Sequence, residues 1–361
     1  MTDLILALDQ GTTSSRSILF TEKAEIRAVA SEPLECRYPD SGWVEQDAEA
    51  IWETQRSTIV KVLDQAGIGL SEVSAIGITN QRESTIAWNR ETGEALCPAI
   101  NWQCRRTAGF CDELKEEGFD ELIRNRTGLV TDPYFSGTKM HWILQNVPEA
   151  ANLARQGKLC FGTVDSWLIW KLSGGTTHAI EISNASRTLV FDIQKCEWDS
   201  EILSRFGIPP ESLPEVVPSS GVIAEVDESL FGGSAPIAGA AGDQQAALFG
   251  QACFSPGMAK NTYGTGCFMI SNTGKHLVRS QNGLLTTIGW KLGDEVTYAL
   301  EGSVFIAGAL VQWLRDGLEL FNDAAETESM ALSVPDSGGV FVVPAFVGLG
   351  APHWDPYARG L

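Results

Sequence analysis

Short apolar runs that end in polar turns mark the beginning of this sequence. Residues 4–8 form a continuous apolar run, and residues 9–13, with the sequence Asp-Gln-Gly-Thr-Thr, follow it. Apolar character returns at residues 16–20. Two apolar runs separated by a turn rich in Gly and Thr predict a strand, a tight turn and a second strand.

The rest of the chain alternates between helical and strand patterns. Trp52, Ile59, Val62 and Leu63 recur at helical spacing, which predicts a helix over residues 47–66. The other predicted elements are strands at residues 73–79, 86–88, 236–240 and 340–347, helices at residues 135–147 and after residue 245, and a strand end with a helix at residues 159–172. Residues 173–235 are interpreted only as loops and scaffold.

Residues 259–270 repeat the form of the opening segment, with a turn of sequence Tyr-Gly-Thr-Gly between two apolar runs. The repeat predicts two similar α/β domains, residues 1–245 and residues 246–361, each of which presents a turn rich in Gly and Thr. The sequence stops shortly after a loop rich in Trp and Pro, so we expect the second domain to be incomplete.

Composition and charge narrow the classes of partner. The chain has 361 residues and a net charge of −20, from 46 acidic and 26 basic side chains. Nucleic acids and anionic membranes need clustered positive charge, so neither is expected as the main partner. No stretch approaches the roughly 18 apolar residues of a membrane span. The eight Cys form no CxxC pair, which favours reduced thiols in a cytoplasmic protein.

The opening turn contains candidate phosphate-binding groups. Gly11 allows a close approach of the backbone, and small hydroxyl donors and a cation surround it: Thr12, Thr13, Ser14, Ser15 and Arg16. Asp9 lies where a buried strand ends, so its carboxylate could hold a Mg²⁺ that bridges phosphates. A Walker A loop is absent from the sequence. An ordinary hairpin with polar turn residues accounts for the local pattern equally well.

Two polar pairs follow other predicted strands. Arg82 and Glu83 come after the strand at residues 73–79, where α/β folds place ligands, and they could bind a vicinal diol. The alternative interpretation of Arg82 and Glu83 is an ion pair at the protein surface. Asp243 and Gln244 follow the strand at residues 236–240, and Asp243 could be a general base that accepts a hydroxyl proton. The alternative interpretation of Asp243 is an ordinary N-cap of the following helix.

Taken in order, these segments resemble the FGGY carbohydrate kinases. The resemblance runs along essentially the whole chain and is carried by residues 8–16, 78–83, 101–103, 133–142, 241–250, 261–266, 301–302, 312–316 and 350–352. It implies an actin-like ATPase fold of two domains, each with a ribonuclease-H-like sheet. It also implies transfer of a phosphoryl group from ATP to a small polyol in the cleft between them, with glycerol as the favoured acceptor and Mg²⁺ as the metal.

The resemblance also implies roles for individual residues. Asp243 would be the catalytic base. The residues expected to bind glycerol are Arg82, Glu83, Trp102, Tyr134, Asp243, Gln244 and Phe268. The residues expected to contact the nucleotide are Thr12, Thr13, Ser14, Arg16, Thr265, Gly308 and Gln312, with Asp9 near the metal.

Other outcomes stay open at this stage. A kinase for xylulose or gluconate is the alternative within the family. A nucleotide-binding protein without catalytic activity on the same fold, or an inactive chain with an incomplete second domain, is the alternative outside it. A full-length protein of this kind could form a homodimer or homotetramer. Residues 232–234 lack the Arg with which some members bind a sugar-bisphosphate inhibitor, and the neighbouring His that some members phosphorylate is missing too.

Overall fold

Residues 3–359 are described by the computed structural model, and they form strands and helices in alternation. The strands are β1 Leu4–Gln10, β2 Ser14–Thr21, β3 Ile26–Pro33, β4 Glu45–Gln46, β5 Ala75–Asn80, β6 Ile86–Asn89, β7 Ala99–Ile100, β8 Leu159–Gly162, β9 Ala179–Glu181, β10 Phe191–Asp192, β11 Glu197–Trp198, β12 Glu215–Val217, β13 Ser220–Glu225, β14 Pro236–Gly242, β15 Ala259–Tyr263, β16 Cys267–Gly274, β17 Leu285–Leu292 and β18 Glu295–Val304.

The helices connect these strands or cover the sheets. They are α1 Ala48–Ala66, α2 Ala108–Glu116, α3 Asp120–Thr127, α4 Ser136–Asn146, α5 Pro148–Arg155, α6 Val164–Leu172, α7 Ile182–Ala185, α8 Ser200–Phe206, α9 Glu228–Phe231, α10 Asp243–Gly250, α11 Gly308–Asp316 and α12 Glu326–Leu332.

A mixed sheet of six strands organises the first part of the chain, in the order β13-β14-β5-β1-β2-β3. The hairpins β1-β2 and β2-β3 are antiparallel, whereas β5 runs parallel to both β1 and β14. In β5 every second residue is buried, so this strand is half-buried rather than continuously buried. The predicted opening of strand, tight turn and strand is confirmed.

Helix α1 shows how local sequence sets an element that packs on this sheet. Asp47 caps its N-terminus, because the carboxylate accepts hydrogen bonds from the backbone N–H groups of Glu49 and Ala50. Gly67 ends it in a left-handed conformation at φ 66°. Ile59 and Val62 are fully buried in the core that the helix shares with the sheet. The helix predicted at residues 47–66 is confirmed.

A second sheet of four antiparallel strands follows in the order β15-β16-β18-β17. Its first hairpin pairs Tyr263 with Cys267 and so repeats the strand, turn and strand of the opening segment, as predicted. Helix α10 leads from the end of β14 towards this sheet. A backbone hydrogen bond of 2.9 Å from Thr286 N to Gly128 O joins the second sheet to the first part of the chain.

The strand predicted at residues 340–347 is wrong. These residues form no strand, and Phe341 and Val343 are 84% and 71% exposed. Within residues 3–359 no strand pairs with this run, and most of its apolar side chains stay at the surface, although Ala345 is buried. Helices α11 and α12 likewise contain no fully buried residue.

Two further sequence expectations concern covalent and membrane features. The eight Cys carry free thiols, as predicted, and four of them are buried. In the part of the chain that the structure describes, no helix combines the length and apolar character needed to cross a membrane.

Candidate active site

Two polar loops meet at the carboxyl ends of neighbouring parallel strands. Strand β5 ends at Asn80, which lies opposite Gly242 at the end of β14. Arg82 and Asp243 follow these ends, and Arg82 Nε lies 3.6 Å from Asp243 Oδ1. Open α/β sheets place ligands outside the carboxyl ends of their strands. The topology therefore joins Arg82 and Asp243, which are 161 residues apart in the sequence, into one site.

Arg82 is held by a carboxylate from the second sheet. The side chain is only 3% exposed, so Arg82 and Glu83 are not a surface ion pair. Its Nη1 and Nη2 donate to Glu301 Oε2 and Oε1 at 2.6 and 2.8 Å, a bidentate arrangement that fixes the guanidinium plane. Glu301 belongs to β18 and is fully buried. Arg82, which follows a strand of the first sheet, is therefore oriented by a residue of the second sheet.

A second guanidinium completes this buried network. Arg187 Nε donates to Glu83 Oε1 at 2.6 Å, and Arg187 Nη2 donates to Glu301 Oε1 at 3.1 Å. Burial outweighs these attractions at Glu83 and raises the pKa of its carboxyl. Burial also acts to raise the pKa of Glu301, but Arg187 and Arg82 oppose it and lower that pKa to about 2. Two cations and two carboxylates thus balance one another in the interior.

Aromatic rings form one wall of a cavity beside this network. The ring centroids of Trp102 and Tyr134 are 5.8 Å apart, and those of Trp102 and Phe268 are 5.9 Å apart, both in edge-to-face geometry. The cavity has a volume of about 170 Å³. Sites for drug-sized ligands have volumes of about 300–1,000 Å³, so this one suits a smaller molecule. Its lining residues are Thr12, Thr13, Gln81, Arg82, Glu83, Trp102, Tyr134, Asp243, Gln244, Thr262, Gly264, Thr265, Gly266 and Phe268.

The first turn rich in Gly and Thr, residues 10–14, is held in this cavity by side chains from distant segments. Gln81 Nε2 donates to Gly11 O at 3.1 Å, and Gln46 Nε2 donates to Thr12 O at 2.7 Å. The indole N–H of Trp102 donates to Thr12 Oγ1 at 2.9 Å. Because Trp102 also lines the cavity, one side chain joins the aromatic wall of the cavity to this turn.

The second turn rich in Gly and Thr, residues 263–267, is held by the start of a helix. Backbone N–H groups of Ala307 and Gly308 donate to the carbonyls of Thr265 and Gly264 at 2.7 and 2.9 Å. Thr265 lines the cavity, whereas Gly308 and Gln312 do not. They lie on α11, and Gln312 is exposed one helical turn beyond Gly308. These three expected nucleotide-binding residues thus extend away from the acceptor cavity.

The remaining residues of the opening segment lie next to the cavity rather than on its lining. Asp9 and Arg16 are cross-strand partners on β1 and β2, and Ser14 begins β2. Burial raises the pKa of the Asp9 carboxyl, and the positive charge of Arg16 opposes that shift. Within residues 3–359, no hydrogen-bond donor is assigned to the Asp9 carboxylate. It is therefore available to a cation.

Asp243 begins helix α10 but does not cap it. The N-cap residue is Gly242, and Asp243 is the first residue of the helix. Its Oδ1 accepts from Gln244 N at 2.8 Å, and its Oδ2 accepts from Gln244 Nε2 at 3.2 Å. Burial raises the pKa of Asp243, although Arg82 and the Gln244 N–H oppose the shift. A helix N-terminus favours an ionised carboxylate, but at Asp243 burial outweighs that effect.

Three residues that hold the site together were not predicted as site residues from the sequence. Arg187 lies in the region interpreted as scaffold, and Glu301 and Lys139 entered only through the family resemblance. Lys139 is fully buried, and burial lowers the pKa of its ammonium to about 7. Glu301 sits at a buried position of a strand, where an acid is unusual without a partner. That oddity is the one signal by which the sequence could have marked it.

Comparisons with known proteins extend this picture along the chain. Residues 4–250 match the N-terminal domain of the FGGY family of carbohydrate kinases, and residues 259–361 match its C-terminal domain. The chain belongs to the FGGY family of carbohydrate kinases. The first match ends at residue 250 and the second begins at residue 259. The boundary that we expect at residue 245 stays a prediction.

Relatives of this FGGY family member include glycerol kinases. The glycerol kinase of Symbiobacterium thermophilum is 60% identical over 357 residues, which cover 99% of this chain and 72% of that protein. The crystal structure of Plasmodium falciparum glycerol kinase with ADP superposes with a TM-score of 0.86 at 36% identity, covering 99% of this chain and 72% of the other.

A gluconate kinase shares the fold at lower sequence identity. The structure from Lactobacillus acidophilus has a TM-score of 0.84 at 20% identity and covers 100% of this chain and 72% of its own. These likenesses confirm the two-domain α/β fold of the FGGY kinases. The roles of individual side chains stay predictions.

Proposed function

We propose that this protein transfers a phosphoryl group from ATP to glycerol and forms sn-glycerol 3-phosphate. One observation carries the proposal. One small cavity is lined both by Arg82, Glu83 and Asp243 and by Thr12 and Thr265 of the two Gly/Thr turns. Groups suited to a polyol and groups suited to phosphate thus face the same space. The 60% identity to a glycerol kinase selects glycerol among the acceptors of the family.

The acceptor side of the cavity suits a small triol. The Arg82 guanidinium donates and the Glu83 carboxylate accepts, so together they can fix two neighbouring hydroxyl groups. Trp102 and Phe268 would pack against the carbon chain. The small volume of the cavity, about 170 Å³, favours glycerol over the longer acceptors xylulose and gluconate.

Asp243 is the base in this proposal. Its side chain is 37% exposed, so an acceptor hydroxyl can reach it. The hydrogen bonds from Gln244 and the positive charge of Arg82 hold the carboxylate in place. An ionised carboxylate there can accept the hydroxyl proton as the oxygen attacks the terminal phosphorus. Phosphoryl transfer needs positioning and charge neutralisation more than covalent help.

The phosphates would lie against the two Gly/Thr turns, with Thr12, Thr13 and Ser14 as donors and Arg16 as a cation. Mg²⁺ would be held through Asp9, whose carboxylate has no assigned donor in the described part of the chain. Residues 3–359 contain no group of three or more potential metal ligands, so phosphate oxygens and water would supply most of the coordination. When bound, Mg²⁺ would neutralise charge that develops on the phosphates.

The test is a coupled assay of ADP release by the purified chain, with and without an acceptor. We expect release that depends on glycerol, exceeds release with xylulose or gluconate, and yields glycerol phosphate by ³¹P NMR. Faster turnover of xylulose or gluconate would reassign the acceptor. Nucleotide binding without acceptor-dependent ADP release would favour the non-catalytic alternative.

A further inference from the structure

Lys139 is a buried ammonium that the proposed chemistry does not use. It lies on α4 with none of its surface exposed. Within residues 3–359, no carboxylate oxygen lies within 4.0 Å of the Lys139 Nζ, so Lys139 forms no ion pair there. Lysine is almost never fully buried without a partner, because removing an ammonium from water costs several kcal/mol. Its burial therefore calls for a compensating set of contacts.

The contacts are two backbone carbonyls, and both belong to residues of the acceptor cavity. Lys139 Nζ donates to Tyr134 O at 2.6 Å and to Glu83 O at 3.1 Å. Glu83 follows β5 and Tyr134 precedes α4, so the two residues come from separate segments of the chain. One ammonium group thus sets the distance between their backbones.

The Glu83 backbone needs such support. Its φ is 60°, in the left-handed region that side chains other than Gly rarely adopt. Besides Lys139, the hydroxyls of Thr85 and Ser136 donate to the same carbonyl at 3.0 and 3.1 Å. Strained backbone of this kind persists only where the surroundings determine it several times over. The three donors to the Glu83 carbonyl hold its backbone in this conformation.

We propose that Lys139 is a positioning residue for the acceptor: by holding the carbonyls of Glu83 and Tyr134, it sets the width of the cavity to a three-carbon polyol. The inference rests on the proposed function, since it concerns the acceptor of that reaction. With the ammonium in place, Glu83 and Tyr134 both line the cavity. Without it, Glu83 relaxes towards an ordinary backbone conformation and its carboxylate moves.

The test replaces Lys139 by Met, which keeps the length of the side chain and removes the donors. In Lys139→Met we expect the KM for glycerol to rise by about 10- to 100-fold, the loss expected for hydrogen bonds from a charged group. The KM for ATP should stay within about 2-fold, because the nucleotide side is untouched. Selectivity for glycerol over xylulose should fall. Thr58→Val, which alters a buried hydrogen bond within the core around α1, is the matched control and should leave both KM values unchanged.

A merely structural role for Lys139 predicts a different result, in which stability falls while the KM for glycerol in the folded variant is unchanged. That result would overturn the inference. If Lys139→Met does not fold, Ser136→Ala removes another donor to the Glu83 carbonyl and should raise the KM for glycerol by about 5-fold, as one hydrogen bond of about 1 kcal/mol implies. An unchanged KM in Ser136→Ala would then overturn it.

Glycerol binding measured by calorimetry without ATP separates this inference from the proposed function. A wild-type chain that binds glycerol but releases no ADP contradicts the function, and the weaker binding expected in Lys139→Met still tests the positioning role. If the wild-type chain turns over glycerol but binds it no more tightly than Lys139→Met does, the positioning role alone is contradicted. A wild-type chain that does not bind glycerol contradicts both.

Discussion

The two turns rich in Gly and Thr, residues 10–14 and residues 263–267, share a hairpin form but are held by different kinds of contact. In the first turn, side chains of Gln46, Gln81 and Trp102 from three distant segments bind Gly11 and Thr12. In the second, the backbone at the start of α11 binds the turn carbonyls. The first turn therefore depends on the identity of side chains, and the second on how closely two backbones can approach.

This difference predicts where each turn can be broken. Polar-to-apolar substitutions should disturb the first turn, since they leave buried carbonyls and amides without partners. Added side-chain volume should disturb the second turn, since its Gly266 and the first residue of α11, Gly308, both lie against carbonyl oxygens. A Cβ at Gly266 would lie 2.5 Å from Val304 O, and one at Gly308 would lie 2.6 Å from Gly264 O.

The largest effect is expected for Gln81→Leu in the first turn. The Gln81 amide donates to Gly11 O and Gln46 Oε1 and accepts from Ser84 Oγ and Asn101 Nδ2. Its loss leaves several buried polar groups unsatisfied, so the free energy of unfolding should fall by about 3 kcal/mol. The KM for ATP should rise by about 10-fold or more as the turn shifts. Denaturant unfolding and steady-state kinetics measure the two effects.

Asn272→Leu is the control for this variant. Asn272 is a buried amide of the second sheet that binds Cys253 O and Gly274 N, far along the chain from the first turn. It should lose a similar free energy of unfolding and keep its KM for ATP. If both variants lost activity equally, the effect of Gln81 would be general destabilisation rather than support of the turn.

An intermediate effect is expected for Gly308→Ala at the second turn. The new methyl group would collide with Gly264 O, which should cost about 1–3 kcal/mol of stability as overpacking does. The KM for ATP should rise while the KM for glycerol changes little. Gly109→Ala is the control, since no atom lies within 4 Å of its added Cβ in α2. If Gly308→Ala and Gly109→Ala had the same stability and the same KM for ATP, the second turn would not depend on the close approach of the two backbones.

The smallest effect is expected for Trp102→Phe, which keeps an aromatic wall and removes the N–H that donates to Thr12 Oγ1. Loss of one hydrogen bond of about 1 kcal/mol should raise the KM for ATP by about 5-fold. Trp290→Phe is the control, because no hydrogen bond is assigned to the Trp290 indole within residues 3–359. Equal kinetics in the two variants would mean that Trp102 does not orient Thr12.

The same contrast explains how much of the fold and the site the sequence could predict. Both hairpins and α1 were predictable because their signals are local: apolar runs, Gly and Thr at the turns, and Asp47 with Gly67 at the ends of the helix. The strand predicted at residues 340–347 was wrong, since an apolar run becomes a strand only where another strand pairs with it.

Site residues divided in the same way. Arg82 and Asp243 could be singled out because each follows a strand end. Their neighbours Arg187 and Lys139 could not, since their roles arise from contacts across more than 50 residues of sequence, as between Lys139 and Glu83. Glu301 offered one signal, an acid within a strand. The sequence thus marks the groups that face the cavity more readily than the groups that hold them there.

The measurement that tests the central claim most directly is the turnover of glycerol by Asp243→Asn. We expect kcat to fall by about 100-fold or more, the usual contribution of a general base, while the melting temperature stays unchanged and glycerol still binds. The wild type should lose activity on acidification at a pH above the ordinary aspartate range of about 3.9, because burial raises the pKa of Asp243 and only the ionised carboxylate accepts a proton. Asp243→Asn should lack that acid limb. A variant that retains most of its turnover, with the acid limb intact, would contradict the assignment of Asp243 as the base.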